Sequence, residues 1–109
     1  MIALDAVWLC RGHTDLRCGM DTLLARVVRD FGAARAQHAY LFANASSTRL
    51  KVLVYDGAGL WLCTRRLQSG RFDWGHRVQD EGISMDQLDW LVRGLPWTRR
   101  HPPMAIGVV

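Results

Sequence analysis

Two cysteines and a histidine near the amino terminus are the first candidates for metal chemistry. Cys10, His13 and Cys18 lie close together in the chain, and their side chains are of the types that bind zinc. Structural zinc sites use four ligands, usually in two closely spaced pairs, and Cys10 with His13 forms one imperfect pair without a second. The sequence therefore predicts no metal site. The simplest interpretation is that these cysteines, together with Cys63, are small buried residues.

Three carboxylates are candidates for metal-assisted phosphoryl chemistry. Asp15, Asp21 and Asp56 would have to converge on a divalent cation for such a reaction. Asp15 is well placed to start a helix and Asp56 to form a turn, so each has a local structural explanation. The sequence contains no nucleophile elbow and no phosphate-binding glycine loop. We therefore expect no catalytic residues, no cofactor and no enzymatic activity.

Basic residues in the middle of the chain are candidates for nucleic-acid contact. Residues 49–77 include six lysines and arginines against two acids, whereas residues 80–93 are acidic. Arginine binds phosphate through two parallel hydrogen bonds, and a basic surface attracts DNA whatever its sequence. The alternative is a solvated sheet face, with Phe72 and Trp74 packed in the core. The predicted nucleic-acid-binding residues are Lys51, Arg65, Arg66 and Arg71.

A second functional prediction is protein–protein interaction without nucleic-acid contact. The chain has five tryptophans, a residue type that is common at the centres of interfaces. Apolar side chains also point to both faces of the strands around residue 61. Trp61 is the predicted partner-binding residue.

The composition indicates the kind of protein that must position these residues. The chain has 109 residues, of which 50% are hydrophobic and 22% are charged, as is typical of one globular domain. No apolar run reaches the ~18–20 residues that a membrane span needs, and no secretory signal is recognisable. We expect residues 1–98 to form a single α+β domain in the cytoplasm, followed by an irregular tail over residues 99–109.

The first half of the chain predicts a strand followed by a helix. Residues 6–10 are rich in strand formers, and residues 11–13 are predicted to form a turn. Apolar residues then recur at helical spacing, which predicts a helix from about Asp15 to Phe31. Thr14 is its predicted amino-terminal cap, Gly32 its carboxy-terminal cap, and Gly19 is expected inside it.

The second half predicts a meander and another helix. Residues 40–43, 50–55 and 60–67 are predicted strands, and residues 56–59 are a hairpin turn. Residues 75–82 are expected to form a loop. Ser84 and Gln87 form a capping box, which predicts a second helix ending at Gly94 and Pro96. The predicted fold is an antiparallel sheet of four or five strands with the first helix packed on one face; the alternative is a half-open barrel.

Asp15 and Arg17 are predicted to act as a structural brace or as an anion contact. If both lay on the predicted helix, their two-residue spacing would place them on different faces, so we expect them not to pair. Arg17 would then bind another carboxylate, such as Asp56, or an outside anion.

Three segments of the chain resemble one bacterial protein family. Residues 14–21 (Thr-Asp-Leu-Arg-Cys-Gly-Met-Asp) resemble a Thr-Asp-Met-Arg-Lys-Gly-x-Asp motif. Residues 49–60 resemble Arg-x-Lys-x-Leu-x-Trp-Asp-x-x-Gly, and residues 65–74 resemble Lys-Arg-Leu-Glu-x-Gly-x-Phe-x-Trp. Together they are similar to TnpB, the Orf2-type accessory protein of the insertion-sequence-sixty-six family, which is distinct from the RNA-guided nuclease of the same name.

The resemblance implies a biological setting. It implies a protein that assists DNA transposition beside a separate transposase, with the transposase or another element-encoded protein as partner. It supplies no catalytic residues. The chain departs from the motifs at Cys18, where lysine is usual, and at Ser46 and Ser47, where arginine is frequent.

Overall fold

The computed structural model describes residues 4–72 and 82–92, without the side chains of residues 11–13, 82, 83, 90 and 92. The chain is an α+β protein with a mixed sheet of four longer strands and one two-residue strand, together with two helices. In chain order the elements are β1 (Ala6–His13), α1 (Met20–Phe31), β2 (His38–Ala43), β3 (Arg49–Tyr55), β4 (Leu60–Arg66), β5 (Gly82–Ile83) and α2 (Met85–Val92).

The prediction of a wholly antiparallel sheet is wrong, because β1 and β2 are parallel. The strand order is β4-β3-β2-β1-β5, and the other three strand pairs are antiparallel. A helix between two strands returns the chain to the end of the sheet where the first strand began, so α1 makes β2 run in the same direction as β1. Among the described strands β4 and β5 lie at opposite edges, so the sheet is open and the barrel alternative is wrong.

The predicted meander is confirmed. β2, β3 and β4 pair consecutively in antiparallel register, with Leu41 opposite Val52 and Val52 opposite Cys63. The turn after β3 contains Gly57 at a φ of 92°, a backbone conformation that glycine adopts without the steric penalty of a Cβ atom. The carboxylate of Asp56 accepts hydrogen bonds from the backbone N–H groups of Ala58 and Gly59, which fixes this turn.

Successive residues of a strand point to opposite faces, and two separate clusters of buried side chains result. Tyr40 and Leu53 belong to the cluster that includes Leu23 and Val27 of α1. Leu41 belongs to the other cluster, which also contains Phe72 and, from α2, Leu91. Both faces of the sheet therefore contribute to the core, and Phe72 is buried, as the packing alternative for that residue anticipated.

The first helix starts later than predicted. It begins at Met20 rather than near Asp15, and Gly19 is its amino-terminal cap instead of an interior residue. Gly19 has no side chain with which to cap the helix, and Thr14 is used elsewhere: its backbone N–H donates to Ala43, and its hydroxyl accepts from Arg26. The carboxy-terminal cap is as predicted, because Gly32 adopts a φ of 85° and its N–H donates to the carbonyl of Val28.

The predicted turn at residues 11–13 is also wrong. β1 continues through these residues to His13, and its pairing with β2 is irregular between Leu9 and His13. A bulged strand can contain a glycine and polar residues that would otherwise suggest a turn.

In the carboxy-terminal part of the described chain, the predicted start of α2 is confirmed, but part of the predicted loop before it is a strand. The capping box is confirmed: the Ser84 N–H donates to Gln87, and the Gln87 N–H donates to the Ser84 hydroxyl. Gly82 and Ile83, expected partly as loop, pair with β1 as β5. The predicted helix end at residues 94–96, the loop over residues 75–81, Trp74 and the tail over residues 99–109 lie outside the described residues.

The cysteines have three different environments. Cys10 is buried, and burial raises the pKa of its thiol to about 12, so the thiol is neutral at physiological pH. Cys18 is half-buried, and Cys63 is exposed on β4, which corrects the expectation that all three are buried.

In the described part of the chain, neither helix is long and apolar enough to cross a membrane.

Candidate functional site

Five arginines collect at one end of the sheet, which we call the arginine end. β1 and β2 finish there, β3 begins there, and β4 finishes there. The segment after β4 folds back onto the loop before β3, because Leu67 donates to the carbonyl of Thr48 and Phe72 donates to that of Ser47. The strands therefore bring together residues that are far apart in the sequence. The residues of the arginine end are Arg17, Arg49, Arg65, Arg66 and Arg71, all of them exposed.

Two of these arginines form a direct cross-strand pair. Arg49 is the first residue of β3 and Arg66 is the last residue of β4, and the two are opposite each other in the register. Like charges directly opposite on neighbouring strands destabilise a sheet. An anion bound between them would relieve that repulsion.

The four predicted nucleic-acid-binding residues do not share one face. Lys51 and Arg66 lie on the same face of the sheet as Leu53, whereas Arg65 lies on the opposite face. Lys51 is half-buried, and its ammonium donates to the carbonyl of Cys18 at 3.4 Å, which ties β3 to the loop before α1. Arg71 lies on the segment that follows β4. The structure therefore brings Arg65, Arg66 and Arg71 to the same end and gives Lys51 a structural contact.

Asp15 and Arg17 pair with each other, so the prediction that they do not pair is wrong. The Arg17 guanidinium donates to both carboxylate oxygens of Asp15, from Nε at 2.9 Å to Oδ1 and from Nη2 at 2.7 Å to Oδ2, and the backbone N–H of Arg17 donates to the same carboxylate. The side-chain hydrogen bonds from Arg17 lower the pKa of Asp15 to about 2. Helical spacing does not apply, because both residues lie in the loop before α1. Both side chains remain well exposed, 88% for Arg17 and 61% for Asp15.

A cleft of about 560 Å³ opens beside this pair. It lies between the loop after β1 and the loop after β2, at the carboxyl ends of the two parallel strands, which is where open α/β sheets commonly bind ligands. The Asn44 side chain fixes the second loop, because its Oδ1 accepts from the backbone N–H groups of Thr48 and Arg49. The cleft is lined by Thr14, Asp15, Leu16, Arg17, Asn44, Ala45, Ser46 and Arg49.

Sequence reasoning missed three residues of this cleft. In the sequence Arg49 is one of six basic residues between positions 49 and 77, and Asn44 and Ser46 lie in the polar stretch between two predicted strands, so nothing local marks the three as binding residues. The missing information is the parallel pairing of β1 and β2, which brings their two following loops together. One signal in the sequence could have indicated the cleft. The loop after β1 lies within the first family motif, residues 14–21, and the loop after β2 directly precedes the second, residues 49–60.

The opposite end of the sheet carries the turn that holds Trp61. Asp56 Oδ2 accepts a hydrogen bond from the indole Nε1 of Trp61 at 2.7 Å. The backbone N–H groups of Ala58 and Gly59, followed by Trp61, lower the pKa of this carboxyl. Trp61 is 51% exposed. Asp56 is thus neither a partner of Arg17 nor close to Asp15, since the two aspartates lie at opposite ends of the strands.

Among the described residues, no group of three or more histidine, cysteine, aspartate or glutamate side chains is arranged to hold a metal ion.

Comparison with known proteins identifies the family. The model of the IS66 Orf2-like proteins, named TnpB of IS66, matches residues 5–102. The chain belongs to this family. The family match covers both loops of the cleft and all five residues of the arginine end.

Two relatives come from Sinorhizobium fredii, and both are described as uncharacterized. Protein y4hO is 40% identical over 101 residues, which cover 88% of this chain and 84% of the relative. Protein y4jC is 35% identical over 92 residues, covering 78% of this chain and 74% of the relative. No solved structure matches the chain.

Proposed function

We propose that this IS66 Orf2-like protein is a non-catalytic accessory protein of an insertion sequence, and that it assists transposition by contacting the phosphates of DNA through the arginine end. The cross-strand pair of Arg49 and Arg66 carries the proposal. Two exposed arginines held opposite each other disfavour the folded sheet by their repulsion, and a phosphate that both can bind offsets this cost.

The other charges at this end favour the same ligand. Arg65 and Arg71 add positive charge beside the pair. Arg17 is held by Asp15 yet is 88% exposed, so part of its fork of donors stays accessible to a second anion. Among the described residues no helix or strand at this end projects from the surface to read base edges, so contact with the DNA backbone is favoured over sequence readout.

The test is a salt titration of DNA binding. Fluorescence anisotropy would follow a labelled duplex from the end of the element and a scrambled duplex of equal length. We expect weak binding to both, with affinity falling steeply as salt rises, because each neutralised phosphate releases counterions. Replacing Arg65 and Arg66 by alanine should weaken binding to both duplexes equally. It should also reduce the slope of log affinity against log salt by up to ~1.8, at ~0.9 per lost phosphate contact.

A control with the same loss of charge is available at the other end of the molecule. Arg35 before β2 is exposed and lies at the Tyr55 end of β3, so it is about 20 Å from the arginine end, roughly the length of the seven-residue strand β3. Arg35→Ala alters the net charge as much as the single change Arg66→Ala does, which removes one arginine of the cross-strand pair. We expect Arg35→Ala to retain most of the affinity. Failure of the wild-type protein to bind either duplex at low salt would contradict the proposal.

The second candidate function is assembly with the transposase or another element-encoded protein, without direct DNA contact. The exposure of Trp61 favours it, because an indole that is half exposed and oriented by a hydrogen bond is suited to anchor an interface. A pull-down from cells that carry the whole element, with and without nuclease, separates the two functions. Retention of the transposase after nuclease treatment, with loss in a Trp61→Ala variant, would favour direct assembly.

A further inference from the structure

The outer strand β4 has the features of an unprotected sheet edge. It forms an edge of the sheet among the described strands, and it pairs with β3 over seven consecutive residue pairs without a bulge. Five of its seven side chains are exposed, and it contains no proline. Such an edge presents a row of backbone donors and acceptors that can pair with another strand.

The hydrogen bonds of the β3–β4 hairpin determine which backbone groups point outward. The bond from Asp56 N–H to the Gly59 carbonyl marks one hydrogen-bonded pair, and the bond from Leu67 N–H to the Thr48 carbonyl marks another. Hydrogen-bonded pairs alternate along an antiparallel ladder, so Trp61, Cys63 and Arg65 bond to β3. The residues whose backbone groups face away from the sheet are Leu60, Leu62, Thr64 and Arg66.

We propose that β4 pairs with β4 of a second copy of this chain, in an antiparallel register centred on Cys63. A two-fold axis through Cys63 brings outward-facing residues of both strands together, with Leu62 opposite Thr64 of the second copy. This is the register in which all seven residues of β4 find a partner. A two-fold interface must be complementary to itself, and β4 meets that condition.

The side chains of β4 are complementary in the same register. Trp61 lies opposite Arg65 of the second copy, and an arginine over an indole ring is a favourable cation–π pair. Arg66 lies opposite Leu60, so no arginine faces another arginine. A register centred on Arg65 would oppose like charges and leave most of the strand unpaired. Arg65 also makes contacts within its own chain, so the backbone pairing and Trp61 carry the interface.

Cys63 gives this register a chemical signature. Its backbone groups bond to β3, so Cys63 and its symmetry mate form a non-hydrogen-bonded pair, whose Cα atoms are about 4.5 Å apart. That separation is within the ~4.4–6.8 Å range in which a disulfide can form. Cys63 is exposed, whereas Cys10 is buried and Cys18 is half-buried in a loop.

The experiment combines light scattering with thiol oxidation in the absence of DNA. We expect the reduced protein to elute as a dimer and to be cross-linked by diamide, which takes up the two thiol hydrogens as the disulfide forms. Cys18→Ser should leave the cross-link intact, whereas Cys63→Ser should abolish it and preserve the non-covalent dimer. A monomer at all concentrations, or a cross-link that survives Cys63→Ser, would overturn the proposal.

A proline variant tests the backbone pairing directly. Thr64→Pro removes an outward N–H and leaves the hydrogen bonds to β3 in place, so the fold should persist while dimer affinity falls at least tenfold. Thr64→Ala is the matched control and should dimerise normally. Circular dichroism tests whether both variants are folded. If Thr64→Pro is unfolded, the cross-linking of Cys18→Ser and Cys63→Ser decides the proposal. A folded Thr64→Pro variant with unchanged dimer affinity would also overturn the pairing.

Discussion

The loop before α1 shows how a local contact can replace an expected long-range one. The sequence predicts that Asp15 starts the helix and that Arg17 binds a different carboxylate or an outside anion. Instead the helix starts at Met20, and the loop conformation allows one guanidinium to bind the carboxylate two residues before it. The sequence contained both residues, but their pairing depends on the starting position of the helix, which propensity alone does not fix.

The pH dependence of Asp15 follows from this pair. We expect Asp15 to titrate near pH 2 in the native protein, because Arg17 stabilises the charged carboxylate. Arg17→Ala should raise the pKa of Asp15 towards its ordinary value of 3.8, as measured by NMR of the carboxyl carbon. Asp56 serves as an internal reference, since its pKa is lowered mainly by backbone N–H groups and should not respond.

The lowered pKa of Asp15 also determines how the stability of the protein depends on pH. The native pKa of Asp15 lies below the unfolded one, so the pair contributes to stability above about pH 3.8, and that contribution is lost as pH falls towards 2. Since both groups are exposed to solvent, the melting temperature of Arg17→Ala at neutral pH should be close to that of the wild type. If Arg17→Ala abolishes transposition without lowering the melting temperature, Arg17 acts as an anion contact. A large drop in the melting temperature of this variant would instead support the structural brace.

At the scale of secondary structure, the two ends of α1 are capped by glycines in opposite conformations. Gly19 has a φ of −86°, which any residue can adopt, and it lacks a side chain to accept from the first helical N–H groups. Gly32 has a φ of 85°, which a side chain disfavours.

These glycines predict opposite responses to substitution. Gly19→Ser should stabilise the protein by a few tenths of a kcal/mol, because the hydroxyl can cap the helix and nothing lies within 4 Å of an added Cβ. Gly32→Ala should destabilise it by about 1 kcal/mol, through backbone strain alone, since space is open there as well. Urea unfolding of both variants measures the difference, and equal effects of the two would refute the assignment of the caps.

The elements that were predicted correctly are those whose signals are local. The meander from β2 to β4, its hairpin turn and the capping box of α2 depend on residues a few positions apart. The parallel pairing of β1, the extension of β1 through Gly12 and the pairing of β5 depend on distant parts of the chain. The candidate site follows the same division: the basic residues are visible in the sequence, but their meeting at one end of the sheet is not.

In the whole molecule, stability should fall from the middle of the sheet to its edge. Leu41 lies in β2, between β1 and β3, and is 0% exposed. Leu62 lies in the edge strand β4 and is partly exposed. Leu41→Ala should lower the free energy of unfolding by ~2–5 kcal/mol, as expected for a fully buried leucine, whereas Leu62→Ala should cost about 1 kcal/mol. Chemical denaturation of this matched pair checks the gradient, and equal losses would contradict it.

The position of β1 has a consequence for the order in which the chain can fold during synthesis. β1 leaves the ribosome before the other described strands, yet its neighbours in the sheet are β2 and, much later in the chain, β5. β2, β3 and β4 pair with their immediate successors and can associate as soon as they are made. β1 must therefore wait, with apolar side chains on both faces uncovered, until α1 and β2 have been made. β5 has no edge to join until β1 is in place, so the earliest of the described strands governs when the last of them can be added.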